Sequence, residues 1–209
     1  MADKLILAPH IDDEVLGCGG ILDSRSHVYV CGVDESGFRD DKDPTPNEER
    51  LAEMDRAAAF LGYTWEVNTR SRVNRYTEQE FIDLFEDAIN RVRPDRIYLP
   101  HPGFNQDHRT IFHAAMVALR PHDRNFFVPK VLVYEAIHDM LWDPASLRVN
   151  HFVEIDIERK IQAYLMHQSQ VRRMRSPEIL RHQAAVRGAA INRPFAEAFQ
   201  VLRWAEVLG

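Results

Sequence analysis

Cysteine is scarce in this chain: Cys18 and Cys31 are its only two. So few thiols argue against a disulfide framework and against a thiolate zinc site. Both sit in apolar company, as small core residues do. No apolar run approaches the ~20 residues that a transmembrane helix requires. A strand-like segment, Leu5-Ile6-Leu7-Ala8, starts so near Met1 that no room is left for a signal peptide, and a cytoplasmic location is expected. Positive charge is not in excess; the net charge is −6, which argues against a nucleic-acid partner. A local basic patch, Arg172, Arg173 and Arg175, reads as a solvated helix end. No internal repeat and no linker rich in Gly, Ser or Pro divides the sequence, so residues 1–209 are expected to form a single domain.

What is present is an alternation of short apolar runs with segments of helical period. Lys4–Ala8, His27–Val33, Thr64–Val67, Arg96–Leu99 and Val131–Tyr134 read as strands. Val15–Ser24, Asn47–Leu61, Glu78–Val92 and His108–Leu119 read as helices between them. Thr45 and Thr77 each precede a glutamate by three residues, the pattern of a capping box, and Pro46 suits a first helical position. Gly62 and Pro94 are stop signals. Beyond residue 150 a strand near Phe152–Ile155 precedes helical patterns at Glu158–His167, Pro177–Val186 and Ala196–Leu208, with Ser176 as a cap before Pro177. The alternation predicts a Rossmann-like α/β fold, a mostly parallel sheet with helices on both faces. Such sheets bind ligands beyond the carboxyl ends of their strands, where strand order reverses.

Two of those exits carry chemistry. The first strand runs into Pro9-His10-Ile11-Asp12-Asp13-Glu14, followed by Gly17, Gly19 and Gly20. Like charges crowded at a strand end cost free energy unless a cation or proton offsets them. The glycines do not have phosphate-loop spacing, and the acids would repel an anion, so close helix packing explains them better. The strand ending at Leu99 runs into His101-Pro102-Gly103-Phe104-Asn105-Gln106-Asp107-His108. Both loops open at one end of the sheet, where His10, Asp13 and His108 can converge. Two imidazoles and one carboxylate suit zinc or a similar divalent ion and leave a position for water. Asp12 is then the candidate base, Glu14 a group orienting His10, and Asp107 a supporting acid beside the ligands.

PHIDDEVLGCGG resembles the signature of the PIG-L/LmbE-like family, which includes N-acetylglucosaminyl-phosphatidylinositol deacetylases and deacetylases of bacterial thiol biosynthesis. The family form is A-H-P-D-D-E, with Ile11 here in place of proline. Arg50-Leu51-Ala52-Glu53, Leu61-Gly62 and Asn105–Arg109 extend the likeness. Lys160, Ser169-Gln170, Arg187-Gly188 and Ala196–Phe199 are similar to one bacterial branch. The resemblance implies His10, Asp13 and His108 as ligands of Zn2+ (or Fe2+), Asp12 as general base, and a small N-acetylated sugar of the GlcNAc type as substrate. The family's oxyanion-stabilising histidine is replaced by Asn105, whose amide still donates a hydrogen bond but brings no proton. His101, His138 or Asp12 is left to supply that proton, and His101 is also a substrate-binding candidate. Arg50 matches a substrate-binding arginine; the alternative is an exposed helix pair with Glu53. Tyr134-Glu135 is either structural or part of the pocket wall, His167 suits a hydrogen-bonding role on a helix, and Trp142 is a candidate to stack on a sugar. A homo-oligomer is compatible with all of this.

Two other functions use the same residues. Two histidines and one carboxylate also make the facial triad of non-haem iron oxygenases, although those normally lie in antiparallel barrels. A sugar-binding module that has lost catalysis is the third, prompted by Asn105.

Overall fold

The computed structural model describes residues 2–34, 46–142 and 148–206. In chain order the elements are β1 (Lys4–Ala8), α1 (Asp13–Cys18), β2 (Ser26–Val30), α2 (Asn47–Leu61), β3 (Thr64–Val67), α3 (Glu78–Val92) and β4 (Arg96–Pro100). They continue with α4 (Gln106–Ala118), β5 (Lys130–Tyr134), α5 (Ile137–Trp142), β6 (His151–Glu154), α6 (Ile157–Tyr164), α7 (Pro177–Ala189) and β7 (Ala196–Trp204). Seven strands form one sheet in the order β3-β2-β1-β4-β5-β7-β6. β1 to β5 pair in parallel, and β7 runs antiparallel to both β5 and β6. This is the expected mostly parallel α/β architecture.

Alternation along the strands divides the core into two layers. Ile6, Ala8, Val28, Val30 and Leu132 face α1, α2, α6 and α7, whose Leu16, Met54, Ala163 and Leu180 belong to the same cluster. Leu5, Leu7, Tyr29, Ile97 and Val131 face α3 and α4, meeting Phe81, Phe85, Ile111 and Ala115. A strand's side chains alternate faces, so a sheet with both faces covered is apolar throughout; all five residues of β1 are buried.

Several boundaries differ from the sequence reading, and one element changes type. The pattern of Ala196–Leu208 predicts a helix, yet Ala196–Trp204 is a strand lying between β5 and β6. Its Ala and Glu content favours helix only locally; backbone pairing on two sides and burial of Phe199 override that preference. Helix α1 starts two residues earlier than expected and ends at Cys18. The glycines that follow or sit within it do allow close packing. A Cβ on Gly17 would collide with the Tyr134 ring, and one on Gly20 with Ile155. Helix α5 has no counterpart in the sequence reading. Thr77 occupies the cap position of α3, but its side chain makes no cap hydrogen bond. Pro46 is the residue preceding α2 rather than its first, and Thr45 lies outside the described residues. Gly62 ends α2 with φ 91°, and Ser176 caps α7 by accepting from the Ile179 N–H, both as expected. Among the described residues, no helix is long and apolar enough to cross a membrane.

The chain winds outward from β1 to β2 and β3, then crosses back to β4 and β5 on the other side. The order therefore reverses between β1 and β4, and their exits flank one crevice.

Candidate active site

The exit of β1 is fixed from beneath. Tyr134 donates its hydroxyl to the Leu7 carbonyl (2.9 Å) and Tyr76 to that of Pro9 (2.8 Å). Asp12 then takes φ 110°, a left-handed conformation that costs a non-glycine residue free energy and is often kept at functional sites. That bend lets Asp13 begin α1 pointing back toward β1, where its Oδ2 accepts from the His10 backbone N–H (3.0 Å). On the β4 side, Asn105 caps α4, its Oδ1 accepting from the N–H of Asp107 (2.8 Å) and of His108 (3.4 Å). The cap sets Asp107 and His108 on the first turn, His108 on the wall of the crevice and Asp107 buried against His10.

The two loops meet. Asp13 Oδ2 lies 3.1 Å from His10 Nδ1 and 3.2 Å from His108 Nε2. Donor atoms of His10, Asp13 and His108 all fall within 4.8 Å of one another. His10 turns its other nitrogen, Nε2, to Asp107 Oδ2 at 2.9 Å, and Asp107 also accepts from the Asn74 N–H. A carboxylate behind a histidine fixes the tautomer and turns the opposite nitrogen's lone pair toward a metal. Burial alone would depress the His10 imidazole, yet hydrogen bonds to Asp107 and Asp13 raise its pKa to about 10. Burial alone would raise Asp13, but the imidazoles of His108 and His10 hold it well below the usual carboxylate range. Three donors of mixed nitrogen and oxygen type thus converge where positive charge is strongly favoured. They fit a divalent ion with three protein ligands and an open position.

Asp12 is buried beside this cluster, and its carboxyl is pushed up to about 6 by burial, against the opposing charge of Arg175. Arg175 Nη1 donates to Asp12 Oδ2 at 2.7 Å. The sequence reading of Arg172, Arg173 and Arg175 as a solvated helix end needs correction, because Arg172 and Arg175 line the cavity over the donor cluster. Their signal is invisible locally, since the Asp12 contact spans 163 residues.

Glu14, expected to orient His10, does something else. Consecutive helical residues diverge by ~100° around the axis, so Glu14 points into the α2 layer. There it accepts from Tyr63 (3.2 Å) and the Asp12 N–H (3.0 Å) and faces His167 Nε2 at 3.0 Å. Asp107 is the carboxylate on His10. His167 keeps a raised pKa because Glu14 outweighs its burial.

The remaining candidates separate by depth. The cavity measures about 550 Å³, and its wall includes Arg50, Asn105, His138 and Trp142. Arg50 is buried and donates to the Ile11 carbonyl (3.1 Å), which excludes the exposed pair with Glu53. Glu53 instead accepts from the backbone N–H and hydroxyl of Ser169 (2.8 and 2.6 Å). His101 lies behind the wall rather than on it, with Nδ1 3.3 Å from Asp139 Oδ1. His138, on α5, is on the wall, its ring 5.6 Å from that of His108; burial pushes its imidazole down. Tyr134 and Glu135 are structural, Glu135 accepting two hydrogen bonds from Arg187 (2.7 and 2.6 Å).

Fold and site together define a Rossmann-like α/β protein with a cluster of three donors that could hold a cation at its topological switch point. The chain belongs to the PIG-L family, described as GlcNAc-PI de-N-acetylase, whose family model matches residues 5–119. No curated protein matches it. Solved structures match along nearly the whole chain. The conserved protein TT1542 from Thermus thermophilus is 23% identical, with 100% of this chain and 98% of that one covered and a TM-score of 0.79. GalB, the 4-carboxy-2-hydroxymuconate hydratase from Pseudomonas putida, is 20% identical over 100% of both chains, with a TM-score of 0.80. The N,N'-diacetylchitobiose deacetylase from Pyrococcus horikoshii is 20% identical over 97% of this chain and 84% of that one, with a TM-score of 0.72. At these identities the likeness is one of fold.

Proposed function

We propose that the protein is a metal-dependent hydrolase that removes the N-acetyl group from a GlcNAc-type sugar or sugar conjugate, with residues 1–209 acting as one domain. The observation that carries this reading is the meeting of His10, Asp13 and His108 at one point, with Asp12 buried beside them. Membership of the PIG-L family supports it. His10, Asp13 and His108 would hold the ion, for which zinc is the first candidate and ferrous iron the second. Bound there, a divalent ion supplies acidified water and polarisation of the amide carbonyl.

The chain's own residues do the rest. Asp107 holds His10 in the tautomer that leaves Nδ1 toward the cluster. Asp12 takes the proton of the attacking water on its carboxylate and returns it to the leaving amine nitrogen. Arg175 steadies the charged form of Asp12. Asn105 has its Oδ1 committed to capping α4, so its Nδ2 is the end able to donate toward a developing oxyanion. His138, on the wall beside His108, is the second group able to donate there. Arg50 and Trp142 bound the space for the sugar.

Incubation of the zinc-loaded protein with N-acetyl sugars should release free acetate in amounts equal to the new amine, and chelation should stop it. Metal binding without acetate from any such sugar would refute the reading. A second reading, hydration of a carboxylated alkene, is favoured by the GalB likeness and by the arginines in the cavity. It would show as loss of alkene absorbance with no acetate.

A further inference from the structure

We propose that His167 is a positioning residue for Asp12: through Glu14 it locks the Ile11–Asp12 peptide unit in the strained orientation that turns Asp12 into the cavity. This rests on the deacetylase reading and adds to it a group that meets neither substrate nor ion. Asp12 sits at φ 110°, a conformation that persists in a non-glycine residue only where its surroundings over-determine it. A half-turn of the preceding peptide unit would carry Asp12 to an ordinary negative φ. It would also point the Ile11 carbonyl and the Asp12 N–H the opposite ways. Both ends of that unit are pinned. Arg50 Nη2 donates to the Ile11 carbonyl at 3.1 Å, and the Asp12 N–H donates to Glu14 Oε2 at 3.0 Å. A flip forfeits both contacts and turns a carbonyl oxygen toward the Glu14 carboxylate.

The Glu14 pin is only as firm as its own support. Glu14 is fully buried, where a lone carboxylate is costly. Its other oxygen, Oε1, accepts from the Tyr63 hydroxyl at 3.2 Å and lies 3.0 Å from His167 Nε2. His167 is fully buried too, and its imidazole is the group that answers the Glu14 carboxylate. It stands where α6 gives way to the short turn Gln168–Gln170. The next residue, Ser169, is fastened to Glu53 of α2, and Arg50 lies one turn away on that helix. Helix α2 therefore braces both ends of the clamp, the carbonyl end directly and the N–H end through the His167 segment. Neither Glu14 nor His167 is on the cavity wall. Strain of this kind is equivalent to about ten- to a hundredfold in conformer population, so the clamp decides how much of the protein holds Asp12 ready.

The test compares wild type with His167→Gln and with the paired change Glu14→Leu plus His167→Leu, which removes the Asp12 acceptor without leaving a charge buried. Acetate release, zinc affinity by calorimetry and amide hydrogen exchange are read on each. The paired variant should lose about ten- to a hundredfold in kcat, with KM within about twofold. Its zinc affinity should be unchanged, and its Asp12 amide should exchange at least about tenfold faster relative to those of Ile6 and Leu7. His167→Gln keeps a donor but no charge, so it should lose only about three- to tenfold in kcat, with Asp12 exchange quickened in step. Wild-type kcat in the paired variant, or a fall in kcat with the Asp12 amide still protected, would overturn the clamp. So would zinc affinity falling in proportion to kcat. If the paired variant does not fold, His167→Gln decides alone, and wild-type kcat and exchange there would overturn the clamp. If no sugar yields acetate from the wild type, the deacetylase reading falls, and Asp12 amide exchange in the same proteins still decides the clamp.

Discussion

Asp12→Asn should lower acetate release by about a hundred- to ten-thousand-fold, the usual worth of a positioned general base, with metal content unchanged. Asn is the informative substitution at this site. The residue sits at φ 110°, and Asn tolerates left-handed backbone better than Ala. Its amide is close to isosteric with the carboxylate but cannot take a proton from water. Asp12 has no place among the three converging donors, so the ion should stay. Arg175 loses a charged partner but is partly solvated, with its side chain 25% exposed, which limits the effect on folding. Turnover within about threefold of wild type, far short of the general-base effect, would remove Asp12 from the chemistry. Loss of the metal together with activity would make Asp12 a ligand instead.

Lys160→Met should destabilise the protein by about 3–5 kcal/mol, the cost of leaving one partner of a buried ion pair alone. Lys160 Nζ donates to Glu197 Oε1 and to the Leu16 carbonyl, each at 2.7 Å. The same Glu197 oxygen accepts from the Gly20 N–H at 2.8 Å. The pair therefore ties α6 and β7 to the carboxyl end of α1, the helix that begins with Asp13. Burial pushes Glu197 up even with Lys160 beside it, so without the lysine its charge is unsupported. Adding Glu197→Leu should recover much of the loss, since no buried charge then remains. Urea midpoints of the three proteins read this directly. A loss below about 1 kcal/mol for Lys160→Met, no more than an exposed pair contributes, would show that the pair does not hold α1 in place.

These two residues illustrate what the sequence makes legible. The strand-then-acid motif at His10–Glu14 and the second loop ending at His108 can be placed on one end of a parallel sheet by topology alone. Their convergence follows from two local patterns and one general rule. Glu14 cannot be oriented in that way, because its partner His167 lies far along the chain and reaches it only through packing of the late helices. Arg175 misleads for the same reason, since its partner is distant and its neighbours are basic. The final strand misleads because local composition says nothing about the two strands that flank it. Several family-like positions outside the first motif prove to be halves of buried or partly buried polar contacts: Lys160 with Glu197, Glu53 with Ser169, and Arg187 with Glu135. Each is recognisable as a residue, but not as a pair.

The most direct test of the account is equilibrium zinc binding to the apo protein, compared between wild type and His108→Ala. Wild type should take up one equivalent. Changing a residue behind a ligand already weakens metal by roughly 10–100-fold, so losing the ligand itself should weaken it by at least about 100-fold. Equal affinity in the two proteins would mean that the β1 and β4 loops do not share an ion, and the proposed chemistry would have no centre.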